Sequence, residues 1–300
     1  MQRIIPNLWF NDISEEAAQF YISVFDNSKI LHIAHFTDAG KEQHGHEPGQ
    51  VMIVDFELDG TRFTALNGGP QFTFTPAISF FVSCYSEGEI NTLWQKLEAG
   101  GEVRMPLGDY PFSKQYGWLS DKYGVSWQLI LVDREVPQKI MASLMFAKEQ
   151  TGHAAEAMQF YMSVFPGSSQ GMVSKYTAEQ APGHEGQLAY GECTLLGQKV
   201  GFMDSGIDQD FSFNEAVSLE VSCDTQEEID TYWEKLSAVP EAEMCGWLKD
   251  KYGVSWQIVP SAMDDMLTNG TPEQLERVTA AFMQMKKFDL AELEHAYNQA

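Results

Sequence analysis

The chain has 300 residues, more than one ordinary domain needs, and its 44% hydrophobic and 12% aromatic content is enough to bury sizeable cores. Its 43 acidic residues against 19 basic ones leave a net charge of −24, which repels phosphate backbones and anionic bilayers and excludes nucleic acid and membrane surfaces as partners. No apolar run reaches the ~18 residues of a spanning helix, and MQRIIPNLWF is unlike a cleavable leader, so cytoplasmic residence is the expectation.

In chain order, NLWF reads as a first strand. Asp12 with Glu15 then predicts a capping box, followed by Ala17, Phe20, Tyr21, Val24 and Phe25 on one helical face. LHIAHF, VMIVDFEL, RFTAL and ISFFVSC alternate as strands do. Ser86 with Glu89 opens a second helix carrying Ile90, Leu93, Trp94 and Leu97, and Gly100-Gly101 ends it. MPLGDYPFSKQY, from Met105 to Tyr116, has the prolines and aromatics of a candidate lid loop, and WQLILV closes the run as a strand.

The pattern then recurs. AAQFYISVF at Ala17 answers to AMQFYMSVF at Ala157, Ser86 with Glu89 answers to Thr225 with Glu228, and GWLSDKYGVSWQ from Gly117 answers to GWLKDKYGVSWQ from Gly246. The last pair agrees at 11 of 12 positions with an offset of 129 residues, which makes the chain a duplication. Each copy reads as two β-α-β-β-β modules, giving domains at 1–135 and 136–262. From 263 to 300 there is no counterpart: Thr271-Pro272-Glu273-Gln274 caps a helix with Leu275, Val278, Phe282 and Met285, and Asp289 with Glu292 starts another, so a C-terminal helical clasp is expected. Helices cover one face of such a sheet; the other must curl into a cup or meet a partner.

Several residues with chemical potential read as ordinary. The four cysteines show no CxxC spacing, and Cys84 and Cys223 sit at matched strand ends as small core residues. His32 and His35 fall on opposite faces of one strand. His44, His46 and Glu47 belong to a glycine-rich turn, KEQHGHEPG, echoed by GHE at Gly183.

The paired modules, the FY of the first helix, the NGG after RFTAL, and the DKYG hairpin followed by WQ resemble the vicinal oxygen chelate superfamily, and within it the PhnB-like, demethylubiquinone methyltransferase-like branch. The resemblance spans nearly the whole chain, tail included. It implies an α+β fold of tandem domains, each of paired modules forming a curved, mostly antiparallel sheet. It also implies a cup in which a divalent metal, held by His, Glu or Gln, acts as Lewis acid on two substrate oxygens. Matched residue by residue, the first-strand ligand position falls on Asn7 and Ser143, the fifth-strand position on Ser79 and Ser218, and the eighth-strand position on Gln128 and Gln257. Neutral amides and hydroxyls are poor ligands for a transition metal, so no metal and no cofactor are expected.

Alternation independently places Ser79 and Gln128 on the mixed, cup-facing side of their strands. Trp118 and Trp247 are binding candidates because an aromatic plane beside an amide orients a small polar molecule. Glu220, on the face of Ser218, is a candidate base or cation contact. Asp204 and its counterpart Asn67 sit in a fourth strand whose register stays open, and Tyr110 belongs to the lid. The lid favours the first copy as the binding site, with no catalytic residue identifiable. The functional expectation is a protein that binds a small organic molecule in a cup, with or without proton-transfer chemistry. The alternatives are a sequestering module resembling the bleomycin-resistance branch and a metal-dependent lyase or dioxygenase; a methyltransferase lacks a glycine-rich strand-to-helix loop for its cofactor. A homodimer and a monomer that imitates one both fit.

Overall fold

The computed structural model describes residues 2–299. Its first module contains β1 (Ile4–Phe10), α1 (Ser14–Val24), β2 (Lys29–His35), the single-turn α2 (Lys41–His44), β3 (Val51–Leu58) and β4 (Thr61–Asn67). The second has β5 (Ile78–Cys84), α3 (Glu87–Glu98), β6 (Glu102–Tyr110), β7 (Ser113–Ser120) and β8 (Ser126–Leu131). The second copy repeats the plan with β9 (Ile140–Phe146), α4 (Ala154–Val164), β10 (Ser169–Lys175), β11 (Leu188–Leu195) and β12 (Gln198–Asp204), then β13 (Val217–Cys223), α5 (Gln226–Leu236), β14 (Trp247–Lys249) and β15 (Ser255–Pro260). The tail forms α6 (Ser261–Asn269), α7 (Pro272–Phe282) and α8 (Leu290–Asn298).

Most helix starts follow the sequence signals. Ser86, Thr225 and Asp289 accept from Glu89, Glu228 and Glu292 backbone N–H at 3.1, 3.2 and 3.0 Å, and Thr271 with Gln274 closes a full capping box. The expected Asp12 box does not form. Asp12 is in the left-handed region at φ 60°, and the Asn67 side chain instead accepts from Ser14 N–H at 2.9 Å. A residue on the neighbouring strand therefore replaces the local cap. The expected lid is also different: Met105 to Tyr116 is the outer part of the β6–β7 hairpin, turning at Pro111-Phe112, with several register shifts that bend it.

Among the described residues the strands form two sheets. Sheet I runs β14-β15-β13-β1-β4-β3-β2, and sheet II runs β10-β11-β12-β9-β5-β8-β7-β6. Four of the pairs are parallel (β1–β4, β5–β8, β9–β12 and β13–β15), so the sheets are mixed and mostly antiparallel. Each is closed by modules from different copies: β1 pairs antiparallel with β13, and β5 with β9. A cup confined to one copy, the reading drawn from the sequence, is thus replaced by two cups that each straddle the copies. The inner helices pack between the two sheets in one continuous core.

The twice-written GWLxDKYGVSWQ phrase belongs to that core. Asp121 is almost fully buried and accepts from Tyr21 OH (2.8 Å), Trp127 Nε1 (2.8 Å), and the backbone N–H of Tyr123 (2.8 Å) and Val125 (3.1 Å). Asp250 does the same for Tyr161 (2.7 Å), Trp256 (2.8 Å), Tyr252 (2.9 Å) and Val254 (3.0 Å). A buried carboxylate needs such a full set of donors. Each node ties the helix of one module to the closing hairpin of the next within the same copy. Cys84 and Cys223 are buried as expected, and burial pushes both thiols up to about 12.

Candidate functional site

Strand alternation sends one set of side chains to the helices and leaves the other lining a cup on each sheet. In sheet II, Ser79 stands between Ser126 and Ser143, and Phe81 between Gln128 and Met141; Trp118 pairs with Gln128. Gln128 Nε2 donates to Ser79 Oγ at 2.7 Å, Tyr116 OH donates to Gln128 Oε1, and Trp118 Nε1 donates to Ser126 Oγ at 2.8 Å. Phe81 meets Tyr190 at 5.8 Å and Tyr116 at 6.3 Å, and Met141, Met145 and Met203 are nearly buried beside them. This aromatic cup is filled by its own side chains. Its polar ladder is bonded through Gln128, Ser79 and Ser126, with Ser143 Oγ left buried without a partner.

Sheet I differs in its polar residues. Asn7 pairs with Ser218, Ser218 with Ser255, and Glu220 with Ile5 and Gln257, while Trp247 pairs with Gln257. Asn7, Ser218, Glu220, Trp247 and Gln257, five of the candidates read from the sequence, therefore share one face. Gln257 Nε2 donates to Ser218 Oγ at 2.8 Å. The other polar ends are open. Ser255 Oγ is fully buried without a partner, and the side chains of the nearly buried Asn7 (4% exposed) and Glu220 (9%) and the Oε1 of Gln257 (4%) make no hydrogen bond among the described residues. Buried polar groups left in this state point to water or a ligand.

The tail roofs this cup. α6 touches both β15 and β2, so it crosses the concave face of sheet I. Its Asp264 accepts from Arg62 at 2.6 Å, and Arg62 also lies 3.3 Å from Asp55, whose carboxylate accepts from Thr64 OH at 2.8 Å. Cys245 and Gly246 donate backbone N–H to Met285 and Lys286 at 2.8 Å each, and Met263, Met266, Val278, Phe282, Phe288 and Leu293 form a core of their own beneath the helices. On the remaining side Trp9 and Trp247, both half-buried, meet edge to face at 6.4 Å.

The charges of the roofed cup are unbalanced. Burial, reinforced by Asp264 and Asp55, pushes the Glu220 carboxyl up to about 8, against the opposing pull of Arg62. Burial likewise raises Asp55, countered mainly by Arg62.

Three sequence candidates lie outside the cups. Asp204 accepts from the N–H groups of Gly152 (2.7 Å), Ala154 (3.1 Å) and Leu188 (3.0 Å), so it anchors the start of α4 as Asn67 anchors α1. Both side chains are held by backbone groups. Tyr110 donates to Pro106 O at 2.9 Å at the hairpin tip, beside a surface cleft of about 880 Å³ that also includes Phe112, Ile130 and Arg134. Sequence reading missed Trp9, Asp55, Arg62, Ser255 and Asp264. Alternation gave a signal for the first four once pairing is known; Asp264 had none, because nothing local says where a tail helix lands.

The metal implied by the resemblance does not fit the residues present. Gln128 and Gln257 point amide N–H groups at the serines that would be fellow ligands, and the described residues contain no group of three His, Cys, Asp or Glu able to hold an ion. No described helix is long and apolar enough to cross a membrane.

Comparison with known proteins follows the duplication. A family model described as 3-demethylubiquinone-9 3-methyltransferase matches twice, over residues 2–130 and 138–259. No curated protein matches the chain. Among solved structures, a Bacillus cereus protein described as a putative 3-demethylubiquinone-9 3-methyltransferase, PhnB protein, shares 44% identity over 44% of this chain and 100% of its own, with a TM-score of 0.40. Glyoxalase I from Zea mays, at 10% identity, covers 89% of this chain and 95% of its own with a TM-score of 0.55, a likeness of fold alone.

Proposed function

Because the chain belongs to the PhnB-like family described as 3-demethylubiquinone-9 3-methyltransferase, with the tandem glyoxalase fold, we propose that it binds a small organic molecule in a cup of that fold, the one roofed by the tail. Function is read from the site, since the fold hosts many chemistries. The observation that carries the reading is that Asn7, Glu220, Ser255 and Gln257, residues at least nine-tenths buried on one face beneath α6, each keep a polar end with no hydrogen-bond partner among the described residues. On the equivalent face of sheet II the glutamine is bonded at both ends, by Tyr116 and to Ser79, and Phe81 stands where Glu220 stands in sheet I. The preference drawn from the sequence for the copy with the lid gives way on this ground to a cup built from both copies.

Binding here needs no ion. Asn7 offers both a donor and an acceptor, Gln257 an acceptor and Ser255 a hydroxyl, while Trp9 and Trp247 supply apolar area. Glu220 exchanges its proton close to neutral pH, which equips the cup for proton transfer to or from a bound molecule. Sequestration without turnover uses the same contacts, and either activity suits a cytoplasmic protein.

Asn7→Leu combined with Gln257→Leu fills the space and removes two of the open groups. Mass spectrometry of organic extracts from wild-type and double-variant protein tests the reading: a small molecule should accompany the wild type and be absent from the variant. A molecule retained equally by both proteins, or held instead by protein whose sheet II face alone is intact, would refute it.

A further inference from the structure

We propose that the roofed cup takes a small molecule bearing a protonated amine, with Glu220 as its counter-ion and Trp9 and Trp247 packed against its carbon skeleton; this rests on the roofed cup being the binding site. The charges facing Glu220 come from every element around it. Arg62 of β4 is claimed by two carboxylates, Asp264 of α6 at 2.6 Å and Asp55 of β3 at 3.3 Å. His32 of β2 stands opposite Asp55 in the register, and Lys249 of β14, on the row of Ser255, is spent on Glu215 at 2.5 Å. Arg62 thus serves two carboxylates and also pulls on Glu220, so an ionised Glu220 would be a third carboxylate on one guanidinium and would leave this face net negative.

A second, independent feature points to what compensates it. Asn7, 4% exposed, lies on the same face of the adjacent strand with its amide unpaired, and its carbonyl can accept one ammonium N–H while Glu220 accepts another. Trp9 and Trp247, 6.4 Å apart, add the ring faces toward which an ammonium is drawn. Carboxylate, amide carbonyl and indole together favour a cation over an anion or a neutral isostere. The matching positions of sheet II carry Phe81 where Glu220 stands, so the duplicated cup lacks the counter-ion. Binding is also a proton exchange. Glu220 holds its proton at pH 7 in the empty cup, since burial raises it to about 8, and releases it to solvent when an ammonium arrives.

The test uses the full chain at pH 7 with three probes of one shape, benzylamine, benzyl alcohol and benzoate. The indole N–H resonance of Trp247, assigned through Trp247→Phe, reports occupancy, and calorimetry in buffers of different ionisation enthalpy counts protons. Benzylamine should bind at least ~10-fold more tightly than benzyl alcohol, the scale set by a buried charge pair, and release about one proton per molecule bound. In Glu220→Gln the preference and the proton release should both vanish. The proton count on the wild type stands even if the variant folds poorly. If benzyl alcohol or benzoate binds as well as benzylamine, the cation assignment is overturned while the cup remains the site. If no probe moves Trp247, both readings fall.

Discussion

Asp121 and Asp250 each hold four donors from two modules, and the indole and backbone N–H groups among them can only donate. Asp121→Asn keeps the shape but turns one oxygen into an NH₂ facing Tyr21 OH or Trp127 N–H. The expected cost is about 3 kcal/mol in urea unfolding, because a buried donor then meets a donor. Tyr21→Phe removes one bond from a node that keeps three, and about 1 kcal/mol should be lost. Glu220 behaves in the opposite sense. Its folded-state carboxyl titrates at about 8 against 4.5 for the unreinforced group, so the folded protein binds the extra proton between those values. Stability carried by the protonated form is complete below pH 4.5 and drains away as pH rises to 8. Glu220→Gln does not titrate. Wild type and variant should unfold alike near pH 4, and by pH 9 the variant should be more stable by on the order of 5 kcal/mol. Identical pH profiles would show that Glu220 is solvated. At this scale the sequence was half legible. Identity between copies marked the Asp121 phrase as repeated, and its structural role follows from donors that are adjacent in the phrase itself. Glu220 was visible by alternation, but its raised titration depends first on burial and then on Asp264 and Asp55, from a tail helix and a distant strand.

The secondary elements were legible where their signals are local. Four helix caps sit where Ser, Thr or Asp precede Glu or Gln by three residues, and the tail helices follow their apolar spacing. What escaped was anything requiring a neighbour: α1 is capped by Asn67 from β4, and the segment rich in proline and aromatics forms an edge hairpin whose tip lines a surface cleft. The clasp gives this a test. Gly246 sits at φ 83°, and a Cβ placed there would come within 2.5 Å of Phe288 Cε2. Gly246→Ala both strains the backbone and pushes the α7–α8 connection off sheet I. Limited proteolysis should cut the variant's tail much faster than the wild type's, with about 2 kcal/mol lost from the tail's docking. An unchanged cleavage rate would mean the roof is held elsewhere, chiefly by Arg62 and Asp264.

At the scale of the whole molecule, the duplication was plain in the sequence, and which module pairs with which was not. Within a copy the modules share a core through the Tyr21–Asp121 and Tyr161–Asp250 bonds, whereas hydrogen-bonded continuity runs between copies, β1 to β13 and β5 to β9. Both pairings satisfy the same alternation and the same helices, because the copies are alike enough for either partner to fit. Local pattern therefore cannot choose between them; the connections between modules do. The consequence concerns residues 1–135 expressed alone. That fragment keeps the Asp121 node but leaves β1 and β5 as bare edges, each lacking the antiparallel neighbour it has in the full chain. A second copy of the fragment supplies what is missing, β5 of one standing in for β13 against β1 of the other. Light scattering should find it as a dimer of twice the fragment mass, with the two cups now identical, each lined by Asn7 opposite Ser79 and without Glu220 or the clasp. It should consequently fail to bind the small molecule proposed for the intact protein. A stable fragment monomer with native-like sheet content would show that one copy closes its own cup, and the account of a site shared between copies would have to be abandoned.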